Sequence, residues 1–384
     1  MRDLLSGNYA IAEAVRMAKA QLIPAYPITP QTPIYERLSE MESQGALPGT
    51  MVRVESEHSA MAMCVAASIA GLRVFTATSS QGIALMHEML HFASGNRVPV
   101  VMGCVNRVLA APWSFGCDQT DTLSQRDTGW MQFYCEDNQE AFDTVIQAYR
   151  ISEAMLLPSM VIIDAFFNSH FIEPMDLPDQ DQVDLFLPPP SLPERFNLDN
   201  PAFVSNVVTA GTQFFPFRET AFHDMENAKE VIREVDEEYK VQFGRGYGMV
   251  EAIQTDDARL VLVTSGSMTS TARMAIDNLR TKGFKVGLLK IKTFRPFPWK
   301  EVRDALQNAA KVVVIDRNIS LGKGGIFCQE LKSAMANSTA RPQIYGYIAG
   351  LDGVDVSPEI LEGICLEVLN KEAPDDLPVW VRGN

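Results

Sequence analysis

The chain has 384 residues, 46% of them hydrophobic and 21% charged, with 33 Lys and Arg against 48 Asp and Glu. The formal net charge of −15 argues against nucleic acid and against an anionic membrane surface as partners. No basic region followed by an apolar core opens the sequence, and no apolar run reaches a bilayer-spanning length. The length allows about two to three domains. Cys64, Cys104, Cys117, Cys135, Cys328 and Cys365 are scattered without a Cys-x-x-Cys pair, so the chain offers neither a zinc ribbon nor an iron–sulfur cluster of its own. Free thiols in apolar runs make the cytoplasm the natural compartment.

In chain order, Ile11, Ala14, Val15 and Ala18 share one face of a predicted helix over 8–19. A strand over 23–26 runs into Tyr26-Pro27-Ile28-Thr29-Pro30, where two prolines fix a turn. A helix over 31–43 carries Pro33 in its first turn. The strand over 51–54, with β-branched Val52 and Val54, meets a helix over 57–70 that Ser56 can cap and Gly71 ends. Glu57 lies in its first turn, where the positive end of the helix dipole favours an ionised carboxylate. A strand over 73–77 breaks at Thr78-Ser79-Ser80-Gln81-Gly82, and a helix over 83–93 follows. Val98 to Cys104 is almost wholly apolar, as a buried parallel strand is. The loop over 106–129 carries Arg107, Trp113, Asp118, Asp121, Arg126 and Asp127. A helix over 139–153 and a strand over 160–164 complete an alternation that predicts an α/β fold with a doubly wound parallel sheet.

Residues 174–201 are rich in proline and aspartate and read as a connecting arm. A charged helix over 222–241 follows. Gly244, Gly246 and Gly248 have no strand before them, which argues against a nucleotide loop. A second α/β unit predicts strands over 260–264, 284–291, 311–315 and 342–345, with helices over 268–282, 299–308 and 326–336. Thr293 to Pro298 reads as a turn. Gly322-Lys323-Gly324-Gly325 lacks the spacing of a phosphate loop and reads as a helix start. The chain therefore divides into 1–175, an arm and linker helix over 176–256, and 257–384. His87-Glu88-Met89-Leu90-His91 has zinc-protease spacing, but His58, His170 and His223 offer no obvious third ligand. A packed helix face is the better reading.

Open parallel sheets bind ligands outside the carboxyl ends of their strands. The turns there present Thr29, Glu57, Ser79 with Ser80, and Arg107. A hydroxyl, a carboxylate, a hydroxyl pair and a guanidinium on one rim suit a small anionic ligand. The order of motifs says more. Tyr26 to Pro30, Ser56-Glu57, Ser80-Gln81-Gly82, Asn106-Arg107 and Ser124-Gln125-Arg126-Asp127-Thr128-Gly129-Trp130 resemble the α subunits of thiamine-diphosphate-dependent 2-oxoacid:ferredoxin oxidoreductases. The resemblance continues through Lys292-Thr293-Phe294-Arg295-Pro296-Phe297-Pro298, Asp316-Arg317-Asn318-Ile319-Ser320 and Gly350-Leu351-Asp352-Gly353, over nearly the whole chain. Pyruvate-type members are nearest in wording, notably at Ala111-Pro112-Trp113.

The resemblance implies a pyrimidine-binding thiamine fold, then a transketolase C-terminal-like domain. It implies thiamine diphosphate shared with a β subunit, Mg²⁺ and 4Fe–4S clusters in partner chains, coenzyme A as co-substrate, γ and δ subunits, and ferredoxin as electron acceptor. It sets Glu57 on the aminopyrimidine ring nitrogen, Arg107 on the 2-oxoacid carboxylate and Thr29 on the substrate. Tyr26, Ser80 and Gln81 would line the cofactor. The reaction implied is reversible oxidation of pyruvate with coenzyme A to acetyl-CoA and CO₂. Plainer readings stand beside these. Arg107 can pair with Asp118, Asp121 or Asp127, Thr29 can cap the helix at 31, Ser80 and Gln81 can cap theirs, and Arg126 and Asp127 can pin the loop. Other substrates are phenylglyoxylate, a branched-chain 2-oxoacid, 2-oxoglutarate or oxalate; neutral Thr29 counts against oxalate. A non-catalytic assembly subunit is the alternative of another class.

Overall fold

The computed structural model describes residues 2–192, 207–208 and 211–383. The chain opens with β1 (Arg2–Ser6), α1 (Gly7–Met17), β2 (Leu22–Ala25), α2 (Thr32–Ser43), β3 (Thr50–Arg53), α3 (Glu57–Ile69), β4 (Phe75–Thr78) and α4 (Ser80–Gly95). It continues with β5 (Val101–Asn106), α5 (Thr120–Leu123), β6 (Met131–Tyr134), α6 (Asn138–Met155), β7 (Ser159–Asp164), β8 (Ile172–Asp176), α7 (Gln180–Phe186) and α8 (Phe214–Phe243). The second unit holds β9 (Val250–Ile253), β10 (Leu260–Thr264), α9 (Met268–Thr281), β11 (Val286–Ile291), β12 (Thr293–Arg295), α10 (Trp299–Leu306), β13 (Lys311–Asp316), α11 (Ile326–Met335), β14 (Gln343–Ile348), α12 (Pro358–Asn370) and β15 (Val379–Trp380).

Strands β4, β5, β7 and β6 lie side by side and parallel. β5 and β7 are buried at every residue, which is why they read as unbroken apolar runs. β2 pairs with β3 in parallel, and a single bridge from Leu22 to Val74 ties them to the approach of β4. Ala10 and Ala14 on α1 and its C-cap Ala18 are buried, and such small residues let α1 seat closely on α6, itself buried along most of its length. The second sheet runs β15-β14-β13-β10-β11-β9, parallel except for β9.

The structure departs from the sequence reading in places. Thr293 to Arg295 is not a plain turn but β12, which crosses from the second unit and pairs antiparallel with β6 of the first. The division at 257 thus separates segments of chain, not sheets. The arm contains α7, capped by an Asp179–Gln182 capping box, while 193–201 lies outside the described residues. α8 begins at Phe214, ahead of the predicted 222. No helix among the described residues is long and apolar enough to cross a membrane.

Candidate functional site

The Ser56 hydroxyl accepts the Ser59 N–H at 3.2 Å and starts α3, which sets Glu57 at its first position. Glu57 is 6% exposed, and among the described residues its own backbone N–H is the one group that hydrogen-bonds its carboxyl. Burial raises its pKa above the ordinary carboxylate value, and the backbone N–H opposes only part of that. Desolvation thus works against the favourable field of the helix start that the sequence shows. A Cβ on Gly82 would lie 2.6 Å from Glu57 Oε1 and 2.3 Å from Thr78 Oγ1, so both groups press against this glycine. The Thr78 hydroxyl is buried and has no partner.

α4 starts abruptly. Ser80 sits at φ 48°, a left-handed conformation uncommon for a residue with a Cβ. Neither Ser80 nor Gln81 caps the helix with its side chain. The cap comes from Asp121, whose Oδ2 accepts the Ser80 N–H at 2.8 Å. Ser80 Oγ donates to the Val108 carbonyl at 2.5 Å and also reaches Gln81.

Arg107 follows β5 and is 4% exposed. Its Nη1 donates to the Thr29 carbonyl at 2.5 Å and its Nη2 to Gln81 Oε1. The rings of Trp113 and Phe115 each stand 5.6 Å from the guanidinium. Burial lowers the Arg107 pKa, and nearby Asp121 opposes this. The salt-bridge reading is corrected: Asp121 takes the Arg107 backbone N–H at 3.1 Å, and the guanidinium makes no ion pair among the described residues. Thr29 does not cap α2, whose N-cap is Gln31 without a side-chain bond. It is exposed on the rim and gives its carbonyl to Arg107. Tyr26 is half-buried and gives its carbonyl to Gln31 Nε2 at 3.1 Å. The structure thus gathers Thr29, Gln81 and Arg107 in one set of bonds, with Ser80 beside them and Glu57 packed on Gly82 in the first turn of α4.

Other motifs resolve differently. His87 Nδ1 meets Gln125 Oε1 at 2.5 Å, and the His87 and His91 rings stack edge to face on α4. Among the described residues no cluster of three or more His, Cys, Asp or Glu could hold a metal ion. Arg126 and Asp127 are 4.0 Å apart with Asp127 exposed, so they do not pin the loop. Ser94 Oγ does so by donating to the Thr128 carbonyl at 2.6 Å, with Trp130 Nε1 on the Leu90 carbonyl at 2.9 Å. At Gly322 to Gly325 the first N–H groups of α11 are already taken: Phe327 and Cys328 donate to Asp316, and Ile326 to Asn318. No phosphate is needed there. In the second sheet the strand order reverses between β10 and β13, where a crevice is expected. Asp164 of the first unit fills it, accepting from Ser267 N and Oγ at 2.9 and 2.7 Å and pairing with Arg317 at 2.9 Å.

One rim of a parallel α/β unit thus carries a buried carboxyl, Glu57, and a buried arginine, Arg107, and a second α/β unit is joined to it. Residues 13–237 match the model for the pyruvate flavodoxin/ferredoxin oxidoreductase thiamine-diphosphate-binding domain, and residues 258–361 match pyruvate:ferredoxin oxidoreductase core domain II. The chain belongs to this family of 2-oxoacid oxidoreductases. It is 44% identical to pyruvate synthase subunit PorA of Methanothermobacter thermautotrophicus, over 98% of this chain and 97% of that one. It is 46% identical to ketoisovalerate oxidoreductase subunit VorA of Pyrococcus abyssi, over 95% of this chain and 92% of that one. A structure of the 2-oxoglutarate:ferredoxin oxidoreductase from Magnetococcus marinus, with 2-oxoglutarate, coenzyme A and succinyl-CoA bound, has a TM-score of 0.73 at 19% identity, over 95% of this chain and 65% of that one. A split-gene transketolase has a TM-score of 0.56 at 11% identity, over 95% of this chain and 98% of that one. The residues present fit an aminopyrimidine. The Glu57 carboxyl lacks an outside partner and the orphaned Thr78 hydroxyl lies near it, which is what a ring with its own donors and acceptors would satisfy.

Proposed function

We propose that this chain is the α subunit of a pyruvate:ferredoxin oxidoreductase, oxidising pyruvate with coenzyme A to acetyl-CoA, CO₂ and reduced ferredoxin, and running the reverse carboxylation at the same site. The observation that carries this is Glu57: a buried carboxyl with a raised pKa and no hydrogen-bonding group but its own N–H. Thiamine diphosphate, when bound, supplies the carbon nucleophile and the electron sink of the reaction. Glu57 holds a proton at the aminopyrimidine ring nitrogen, and its raised pKa suits a proton shared between the two. Arg107 binds the 2-oxoacid carboxylate with its fork. Thr29 offers a hydroxyl to the substrate oxygen that becomes negative. Tyr26, Ser80 and Gln81 line the cofactor side of the rim.

In this reading the cofactor diphosphate and its Mg²⁺ are held by a β subunit, and the first N–H groups of α11 already have partners within this chain. All six cysteines are buried and free, and in this reading the 4Fe–4S clusters belong to partner chains. γ and δ subunits complete the complex, ferredoxin accepts the electrons, and the cytoplasm is its compartment. Trp113 and Phe115 stand edge to face, 5.1 Å apart, over Arg107. A branched-chain 2-oxoacid is the second reading, favoured by the 46% identity to VorA.

The test is to purify the chain with its partners and compare pyruvate, 2-oxoisovalerate and phenylglyoxylate as substrates with coenzyme A. Pyruvate should give the highest kcat/KM. Glu57→Gln should lower turnover by about a hundredfold or more if the side chain acts in proton transfer. A Glu57→Gln enzyme with wild-type turnover would remove the proposed role.

A further inference from the structure

We propose that Asp121 is a positioning residue for 2-oxoacid recognition: its carboxylate ties the turns after β4 and β5 together and so sets where the Arg107 fork points. This rests on the reading of Arg107 as the carboxylate-binding group. Asp121 is 1% exposed and both of its oxygens are fully used. Oδ2 accepts the Ser80 N–H at 2.8 Å and the Arg107 N–H at 3.1 Å. Oδ1 accepts Asn106 Nδ2 at 2.5 Å and the Thr122 N–H at 2.7 Å. β4 and β5 are neighbouring parallel strands, so N–H groups just beyond their ends, from Ser80 and Arg107, converge on one oxygen. The left-handed Ser80 is held by that bond, and Gln81 follows it directly. Gln81 Oε1 then accepts Arg107 Nη2. A closed ring results, from Asp121 through Ser80, Gln81 and Arg107 back to Asp121. Breaking it frees both ends of the contact that orients the guanidinium.

The ring has a chemical requirement. Every neighbour of Asp121 in it is a donor, so only the carboxylate form satisfies all of them. Protonation sets an O–H against an N–H and opens one link. The charged and titratable groups that face Asp121 are the Arg107 guanidinium and Asp118, with the buried Cys104 thiol from β5 and the Tyr134 phenol from β6. Burial pushes the Asp121 pKa up to about 7, against the lowering effect of the N–H groups of Arg107, Ser80 and Asn106, with Asp118 adding to the rise. The link therefore opens as pH falls through about 7, and substrate affinity falls with it.

The experiment uses the assembled enzyme and oxamate, an unreactive isostere of pyruvate. Oxamate affinity is measured by calorimetry at pH 8 and pH 6, beside KM and kcat for pyruvate. Asp121→Asn turns an amide NH₂ toward one pair of donors whichever way it is flipped. It should weaken oxamate binding at pH 8 by about tenfold and raise KM in step, while kcat stays within about twofold. Wild type should lose oxamate affinity from pH 8 to pH 6, and Asp121→Asn should show no such dependence. A merely structural role would lower the melting temperature and leave the shape of the pH profile intact. Arg107→Gln separates the two levels. If it leaves oxamate binding unchanged, the carboxylate reading of Arg107 falls and this proposal with it. If Arg107→Gln weakens oxamate but Asp121→Asn binds it as wild type does, the positioning role of Asp121 alone is overturned. Should Asp121→Asn not assemble, a wild-type oxamate affinity that is flat from pH 6 to pH 8 overturns it as well.

Discussion

Gly82 is an ordinary helical glycine by its backbone, with no left-handed φ to explain it. In such a place alanine normally adds about 1 kcal/mol of helix stability. Here a Cβ would meet Glu57 Oε1 at 2.6 Å and Thr78 Oγ1 at 2.3 Å. Those distances are inside contact range, so the side chain of Glu57 must move. Gly82→Ala should therefore keep an assembled protein yet lose turnover by about tenfold or more, because proton transfer depends on a fixed geometry. Comparing melting temperature with turnover checks this; full activity would mean that the carboxyl need not sit where it does. The places of Glu57, Arg107 and Thr29 are legible in the sequence, since each follows the carboxyl end of a strand, β3, β5 and β2 in turn. The reason for Gly82 is not, because it depends on a neighbour from another helix. Asp121 is equally hidden: its acceptor role links it to Ser80, 41 residues away. The burial that raises the Glu57 pKa is hidden for a like reason, since a helix start is visible in the sequence and its surroundings are not.

At the scale of elements, legibility follows burial and length. β5, β7, β10 and β13 are buried almost throughout, and their apolar runs announce them. β1, β8, β9 and β15 are short edge or paired strands with exposed residues, so no period marks them. β12 is three residues long and owes its existence to β6, far away in sequence. α11 shows how a motif can mislead. Its glycine-rich start looks open to an anion, but Gly325 is where the Asp316 carboxylate comes closest, with an added Cβ only 1.9 Å from Oδ2. Asp316, fully buried at the end of β13, caps α11 from outside the helix. Asp316→Ala should leave the N–H groups of Phe327 and Cys328 without partners and destabilise the protein by about 3 kcal/mol. Urea unfolding checks the size of the loss, and a change under about 0.5 kcal/mol would mean that water replaces the cap.

At the scale of the whole molecule, two α/β units are joined by more than their linker. β12 gives the second unit a strand in the first sheet. Lys290 of β11 lies buried between Glu136 at 2.9 Å and Glu140 at 2.7 Å, and Arg273 of α9 holds Glu136 from the other side at 2.7 Å. Asp164 at the end of β7 closes the crevice of the second sheet and also accepts Gln119 Nε2 at 3.1 Å, at the start of α5, which carries Asp121. The partition into units is visible in the pattern of strands and helices, but these charged joints are not, because each pairs residues from distant parts of the chain. They should make the chain unfold as one body. Asp164 is 1% exposed and its partner Arg317 5%, so Asp164→Ala leaves a buried guanidinium without its counter-charge. The expected cost is about 3 to 5 kcal/mol, with part of it recovered when Arg317 is also replaced by Met. Scanning calorimetry should show a single transition in the wild-type protein and a single transition at lower temperature in Asp164→Ala. Two separated transitions in the wild type would mean that the seam is only a contact, and that the rim carrying Glu57 and Arg107 is stable without the second unit behind it.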